Sequence, residues 1–289
     1  MEGRMAIPLR NYLRLAFNGS DRVRFMNGQV THDIKTLSTN DSRMAAICTA
    51  KGKMEGYAII SNDGNTLYAD APSSLKEKIP SRLERYIIAD DVEMADISED
   101  WNGYHSIGEK SLTLFDSIDL PEKQIFASKR FGLEGFDIWV KQSHAFEVNS
   151  CSSNTIKALR VEAALPEWEM DMNEKTLPPE ANFDYFGISY SKGCYTGQEP
   201  IARIKSIGKV NKRLCLLSSD DPMQENTTMP VSLTAEDKEA GKLSSISYSP
   251  KYQKALALGM IKSSLCEPGT ELLQDRQTKW EVLPLPYAS

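Results

Sequence analysis

The stretch "SKGCYTGQEPIARIKSIGKVNKRLCLL", residues 191–217, straddles a change in the texture of the chain. From Val210 the sequence breaks into short apolar runs, VNKRLCLL, MPVSL, AGKLSSISYS, KALALGMI and TKWEVLPL, separated by Gly, Pro, Asp and Ser. Regular short strands without helical stretches predict a small β-barrel or sandwich of roughly 75 to 80 residues. Before residue 191, helical and strand patterns interleave, which is the mark of an α+β fold. The division expected is therefore an α+β region over residues 1–209 and a barrel over 210–289.

Working back from the junction, "SSNTIKALRVEAA" (152–164) predicts a capped helix and "EGFDIWVK" (134–141) a strand. "DVEMADI" (91–97) alternates apolar and acidic residues as a half-buried strand does. Pro80 must kink or divide the helical pattern of "SSLKEKIPSRLERYIIADD" (73–91). An Asn-Asp-Gly-Asn turn inside residues 57–70 signals a hairpin. Residues 19–37 open with a Ser20/Asp21 cap and place Val23, Met26 and Val30 on one helical face, interrupted by Gly28.

With 289 residues and a formal charge of -6, the chain can bury a sizeable core and has no general attraction to nucleic acid or anionic lipid. No apolar run approaches the ~18 to 20 residues that span a bilayer. The first residues, MEGRMAIPLRNYLRLAF, carry Glu2 and Pro8 and lack a continuous apolar core and a cleavage site, so a cytosolic protein is expected. Five cysteines spaced 103, 43, 21 and 51 residues apart form neither a disulfide framework nor a metal knuckle.

Gly193 and Gly197 bracket Cys194, and Pro200 keeps a helix from running through the segment beyond its first turn, so Cys194 lies on a loop. Lys192, Arg203 and Lys205 are near in sequence, and a cation held close would raise the thiolate fraction. A small buried cysteine in a structural turn fits the same residues, and both readings stay open at this level. His32, His105 and His144 sit in no catalytic signature and read as ordinary surface or loop histidines. Nucleotide phosphate loops are not present as motifs. Arg160 and Glu162 end the helix in "LRVEAALP"; a carboxylate there could take the amidine–amide edge of a pterin, or the pair could be a solvated face. "NGQVTHD" (27–33), with Gln29, Thr31 and Asp33, and Lys53 in "AKGKMEG" could wall a ligand or merely cap turns.

Taken in order, "GSDRVRFMNGQVTHD", "AKGKMEG", "LRVEAALP", "LPPEANFD" and above all "KGCYTGQEPIARIKSIGKVNKRL" resemble the YgfZ family of folate-binding proteins, relatives of the glycine cleavage aminomethyltransferase, or T-protein. The resemblance implies two interlocked α+β units with a boundary near residues 95–105, followed by a C-terminal barrel, around a central tetrahydrofolate pocket. It implies a role in iron–sulfur cluster assembly or repair, with clients such as radical-SAM enzymes of tRNA modification, no direct nucleic-acid contact, no membrane and no stably bound metal. Carried over, Cys194 is the essential thiol and the transient ligand of a shared cluster, with Lys192 beside it in a catalytic role. Glu162 with Arg160, and Gln29, Thr31, Asp33, Lys53, Tyr195, Gly197, Gln198, Glu199 and Arg203, would face the folate. Two departures stand out. Gly56 and Tyr57 occupy the place of the paired aspartates of aminomethyltransferases, and Ile207 replaces an arginine frequent in the family. Folate-dependent aminomethyl or one-carbon transfer, with Asp33 as a substitute acid, is the alternative reading, and the one enzyme class expected if the chain is an enzyme.

Overall fold

Residues 57–70 form the hairpin their turn residues demand: Asp63 Oδ1 accepts the Thr66 amide at 2.6 Å, and Gly64 adopts φ +98°, a conformation that favours glycine. The structure, a computed structural model, describes residues 5–108, 122–144, 149–208, 210–221 and 228–286, without the side chains of Met5, His144, Asn149, Ser150 and Ile207. The sequence readings of the His144 and Ile207 side chains therefore lie outside the described residues. The chain divides into two compact units, Met1–Cys151 with Phe186–Gln198, and Ser152–Tyr185 with Glu199–Ser289.

In the first unit the strands are β1 (Met5–Leu9), β2 (Tyr12–Asn18), β3 (Asp41–Cys48), β4 (Met54–Asn62), β5 (Leu67–Pro72), β6 (Glu93–Asp96), β7 (Trp101–Ile107), β8 (Gln124–Ser128), β9 (Gly135–Lys141) and β10 (Asn149–Ser150). Among the described residues they make one sheet in the order β10-β1-β7-β9-β8-β3-β4-β5-β2-β6. Its two halves meet at a single parallel pair, Asp41 of β3 with Ala127 of β8. Helix α1 (Arg22–Gln29) follows β2, and α2 (Lys78–Glu84) follows β5 with Pro80 in its first turn. A short 3-10 turn over Ser73–Leu75 precedes α2, which is the division that Pro80 foretold.

One local reading changes. Asp21 does not cap α1 through its side chain; its carboxylate accepts the Asp91 amide at 3.0 Å, while Asp91 accepts the Ser20 amide and hydroxyl at 2.9 and 2.7 Å. These long-range bonds outcompete the local cap. Strand β6 is an edge strand whose alternation holds as a half-buried pattern: Val92 is buried and Met94 and Ile97 partly so, while Asp91, Glu93 and Asp96 are exposed.

The second unit contains α3 (Ser153–Glu162), α4 (Phe183–Phe186, ending at the first unit's boundary) and α5 (Gln198–Ile207, starting at it). Its strands are β11 (Lys212–Ser219), β12 (Val231–Ala235), β13 (Lys238–Ser249), β14 (Lys254–Lys262), β15 (Glu271–Gln274) and β16 (Thr278–Leu283). They close into a six-stranded barrel, β11-β14-β13-β12-β15-β16, sealed where Leu216 and Leu217 of β11 pair with Leu283 and Val282 of β16. The run LCLL in β11 lacks polar alternation for a physical reason. Cys215 and Leu217 face the barrel core with Trp280, while Leu214 and Leu216 pack with Val161 and Ala164 at the end of α3, so both faces are covered. The fold class is thus the α+β arrangement with a C-terminal barrel.

Arg14 of β2 is fully buried and donates to Asp70 of β5 at 2.6 Å and to Gln124 of β8 at 2.7 Å. Its guanidinium also lies 3.9 Å from the ring centre of Trp139 in β9 and 4.4 Å from that of Tyr68. Arg130 bridges onward from Asp70 (3.2 Å) to Asp137 (2.8 Å), whose Oδ1 accepts His105 Nδ1–H at 2.7 Å. His105 is therefore a fully buried core histidine on β7, contrary to the surface or loop reading. Burial opposes the charge on Asp137, but Arg130 and His105 overcome it and hold the carboxyl far below its usual range. Burial pushes Asp70 up even beside its two arginines.

Replacing Asp70 with Ala leaves Arg14 and Arg130 with one buried carboxylate between them. The expected cost is about 3–5 kcal/mol, measured by urea unfolding of the purified protein. A change below ~1 kcal/mol would show that the pairing does not hold this unit together.

Candidate functional site

The segment 186–198 belongs to the first unit although the chain leaves that unit between residues 152 and 185. Three sets of bonds fix it there. Ser189 donates its amide to the Thr31 carbonyl at 3.0 Å, Thr196 donates to the Gly28 carbonyl at 3.1 Å, and Lys192 Nζ donates to the carbonyls of Asn27, Val30 and His32 at 2.6, 2.8 and 2.7 Å. The last carbonyls of a helix have no partner within it, and an ammonium offers three donors. Lys192 thus caps the C-terminal end of α1, where its charge also complements the helix dipole. Burial pushes its pKa down to about 7. The three carbonyl oxygens select the charged form, because a neutral amine would turn a lone pair toward one of them.

Gly197 brings the far end of the loop against the β3–β4 turn. At φ +87° a Cβ there would stand 2.4 Å from the Thr49 carbonyl oxygen and 3.1 Å from Cys48 Cβ, so only glycine fits. Gly193 has nothing within 4 Å of the same construction, so the two glycines around the cysteine are not equivalent. Tyr195 is buried beneath the Lys192 ammonium, 5.0 Å from its ring centre, and burial pushes its hydroxyl well up. Gln198 donates its backbone amide to the Tyr195 carbonyl at 3.2 Å and its side-chain amide to the Lys192 carbonyl at 3.5 Å.

Between these fixed ends Cys194 is exposed and has no hydrogen-bond partner among the described residues. This excludes the reading of a buried turn cysteine. Cys48, on the turn that Gly197 touches, makes the contrast: it is fully buried, and burial pushes its thiol up to about 12. One thiol is presented to solvent and the other is made inert. Lys192 anchors the loop, and its three donors are spent on carbonyls.

The remaining first-unit candidates serve the walls. Thr31 accepts the Ala46 amide at 2.9 Å and donates to the Gly187 carbonyl. Gln29 accepts from Arg82 at 2.8 Å, and the carboxylate of Asp33 accepts the Lys35 amide at 3.0 Å and the Thr36 hydroxyl at 3.2 Å. Thr49 donates its amide to the Lys53 carbonyl at 2.8 Å, and its hydroxyl oxygen accepts the Lys53 amide at 3.2 Å, across the β3–β4 turn. His32 Nδ1 accepts the Asp33 amide at 2.8 Å, and burial lowers its pKa. Arg82 was not marked by any sequence motif, yet it joins Gln29, Glu55 (2.9 Å) and the Cys48 carbonyl (3.4 Å) beneath the loop. Its signal was only a lone arginine on the buried face of α2. Gly56 leaves no room for a side chain, because a Cβ there would stand 2.7 Å from Leu75 Cδ1 and 2.8 Å from Ile79 Cδ1.

In the second unit Glu162 Oε1 accepts the Ser249 hydroxyl, while Oε2 has no hydrogen bond among the described residues. Arg160 is buried, donating to Asp171, to the Leu165 carbonyl (2.9 Å) and to Ser245 (2.7 Å), so its task is to tie α3 to the barrel. Arg160 therefore belongs to no solvated face, whereas Glu162 is partly buried. Glu199 and Arg203 are exposed on α5, Glu199 in its first turn where a negative charge suits the dipole. A cavity of about 770 Å³ in the first unit is lined by Arg10, Tyr12, Lys76, Trp101, Tyr104 and Trp139 among others, and by none of the candidate residues.

Comparison with known proteins fits this layout. Residues 212–287 match the family described as the glycine cleavage T-protein C-terminal barrel domain. The solved glycine cleavage system aminomethyltransferase T from Bartonella henselae superposes with a TM-score of 0.81 over 98% of this chain and 86% of that one, at 15% identity, a likeness of fold. The molecule therefore has the aminomethyltransferase-like architecture. Within it, "tRNA-modifying protein YgfZ" of Vibrio atlanticus (strain LGP32) is 26% identical over 98% of this chain and 92% of that protein. The protein of the same name from Escherichia coli (strain SE11) is 28% identical over 73% of this chain and 71% of its own length. The likeness to the YgfZ family read from five segments, most of all residues 192–214, thus extends along nearly the whole chain.

Lys192→Met removes all three carbonyl bonds at similar side-chain length, at an expected cost of about 1.5–3 kcal/mol. The specific readout is amide hydrogen exchange: Thr196 and Ser189 should lose protection while the β4–β5 hairpin keeps it. Gly197→Ala should loosen the same two amides; unchanged protection in both variants would contradict the anchoring.

Proposed function

We propose that this protein binds tetrahydrofolate and acts in the assembly or repair of iron–sulfur clusters, supporting radical-SAM enzymes that modify tRNA, through the thiolate of Cys194. The observation that carries the reading is the presentation of Cys194: exposed, unpartnered among the described residues, and held on a loop whose two ends are fixed by Lys192 and Gly197. The name of the relatives, tRNA-modifying protein, supports the pathway.

The cluster is the cargo in this reading. Cys194 loses its proton to solvent and gives a sulfur lone pair to iron. No group of three or more His, Cys, Asp or Glu among the described residues is placed to hold a metal ion, so the remaining ligands of a cluster passing over Cys194 come from the client or from small thiols. For folate, the donor set fits: Glu162 keeps one carboxylate oxygen open for the N–H edge of a pterin, and Ser249 orients the other. Tetrahydrofolate bound there supplies a reduced pterin whose nitrogens carry one-carbon units. No helix among the described residues is long and apolar enough to cross a membrane; a cytosolic site of action is part of the proposal. The one-carbon transferase alternative needs an acid, and both Asp33 carboxylate oxygens are engaged in its own turn.

Titration of the purified protein with tetrahydrofolate tests the folate half. Glu162→Gln should weaken binding by on the order of 10- to 100-fold, the equivalent of a charge-assisted bond. An affinity equal to that of the native protein would remove Glu162 from the folate site.

A further inference from the structure

The barrel holds a pair of thiols that the proposed function does not use. Cys215 lies on β11, opposite Gly259 of β14, and Cys266 follows the 3-10 turn after β14. Both sulfurs converge on one cross-strand pair, Arg213 with Ile261. Cys215 Sγ approaches the Arg213 carbonyl at 3.7 Å, and Cys266 Sγ approaches the Ile261 and Lys262 carbonyls at 3.6 and 3.3 Å. Cys266 packs against the same apolar cluster that contains Cys215, which brings the two thiols together on it. The pair is asymmetric. Cys215 is buried, whereas Cys266 is half-buried and open to small solutes.

We propose that Cys266 and Cys215 form a redox pair, oxidised by hydrogen peroxide to a disulfide that joins β11 to the segment following β14. The Cys266 thiolate attacks a peroxide oxygen: an S–O bond forms, the O–O bond breaks, and the departing hydroxide takes a proton to become water. The sulfur of Cys215 then attacks Cys266: the S–S bond forms, the S–O bond breaks, and the hydroxide leaves as water with the Cys215 proton. Two thiols lose two electrons and one peroxide becomes two waters; a dithiol reductant reverses the change. Hydrogen bonding from Cys215, followed by the proximity of Arg213, lowers the pKa of Cys266, which fits it for the first attack. The same contact and burial raise that of Cys215, which fits it for the second role. Cys194 takes no part.

The test uses the full-length native chain, reduced and then treated with one equivalent of hydrogen peroxide, alkylated, digested and mapped by mass spectrometry. The expected result is joint loss of alkylation at residues 215 and 266 with appearance of the linked peptide. Cys215→Ser should replace the link with a dimedone-trapped sulfenic acid at Cys266, and Cys266→Ser should abolish both; thermal unfolding verifies that each variant is folded, and the native chain decides alone if one is not. Separate alkylation of both residues while Cys194 is oxidised, or over-oxidation of Cys266 without the link, would overturn the proposal. So would a link that forms only in denaturant.

Discussion

The guanidinium of Arg14 sets how the first unit closes. Strand β2, which carries it, and β9, which carries Trp139, stand five places apart in the sheet. In a flat sheet that is about 24 Å, yet the cation lies 3.9 Å from the indole. The sheet must therefore turn back on itself, and its two halves, joined by the single Asp41–Ala127 pair, face one another across buried charge. Two arginines and two aspartates balance, so no net charge is stranded. Such a network contributes less through net attraction than through the penalty for any other arrangement, which would bury these groups unpaired.

The candidate loop inherits that rigidity. Its floor is the end of α1 and the β3–β4 turn, and α1 follows directly from the strand that carries Arg14. Arg82, from α2, then ties Gln29 at the end of α1 to Glu55 and to the Cys48 carbonyl. On this support the chain returns after residue 185 and lays down three carbonyl bonds from Lys192 and a glycine seated on the Thr49 carbonyl. Each end of the loop is fixed by backbone groups, and the thiol between them contributes nothing to its own placement. A side chain that carries no structural load is free to react.

Much of this was legible in the sequence, and the rest was hidden for definable reasons. The hairpin at residues 57–70, the cap at Ser152 and most barrel strands follow from local rules, because turn residues and apolar runs act over a few positions. Strand β15 escaped because "ELLQ" is too short to carry a pattern. Helix α5 escaped because Pro200 reads as a breaker, although a proline in the first turn of a helix is tolerated. The Arg14 network was illegible in principle: an arginine or aspartate in a strand looks like a solvent-facing residue until partners dozens of positions away are known. At the site, the loop position of Cys194 followed from its flanking glycines, but its exposure did not, because a buried turn cysteine fits the same residues. The task of Lys192 did not, because its acceptors are backbone carbonyls about 160 residues earlier, which no motif records.

The account rests on the claim that Cys194 acts through its sulfur while leaving the fold untouched. Its most direct test is complementation of a strain lacking its own YgfZ protein, scored by the level of modified tRNA, with Cys194→Ala expressed at native amounts and with an unchanged unfolding midpoint. The account predicts modification no higher than in the uncomplemented strain. Full restoration of modification by the alanine variant would contradict it.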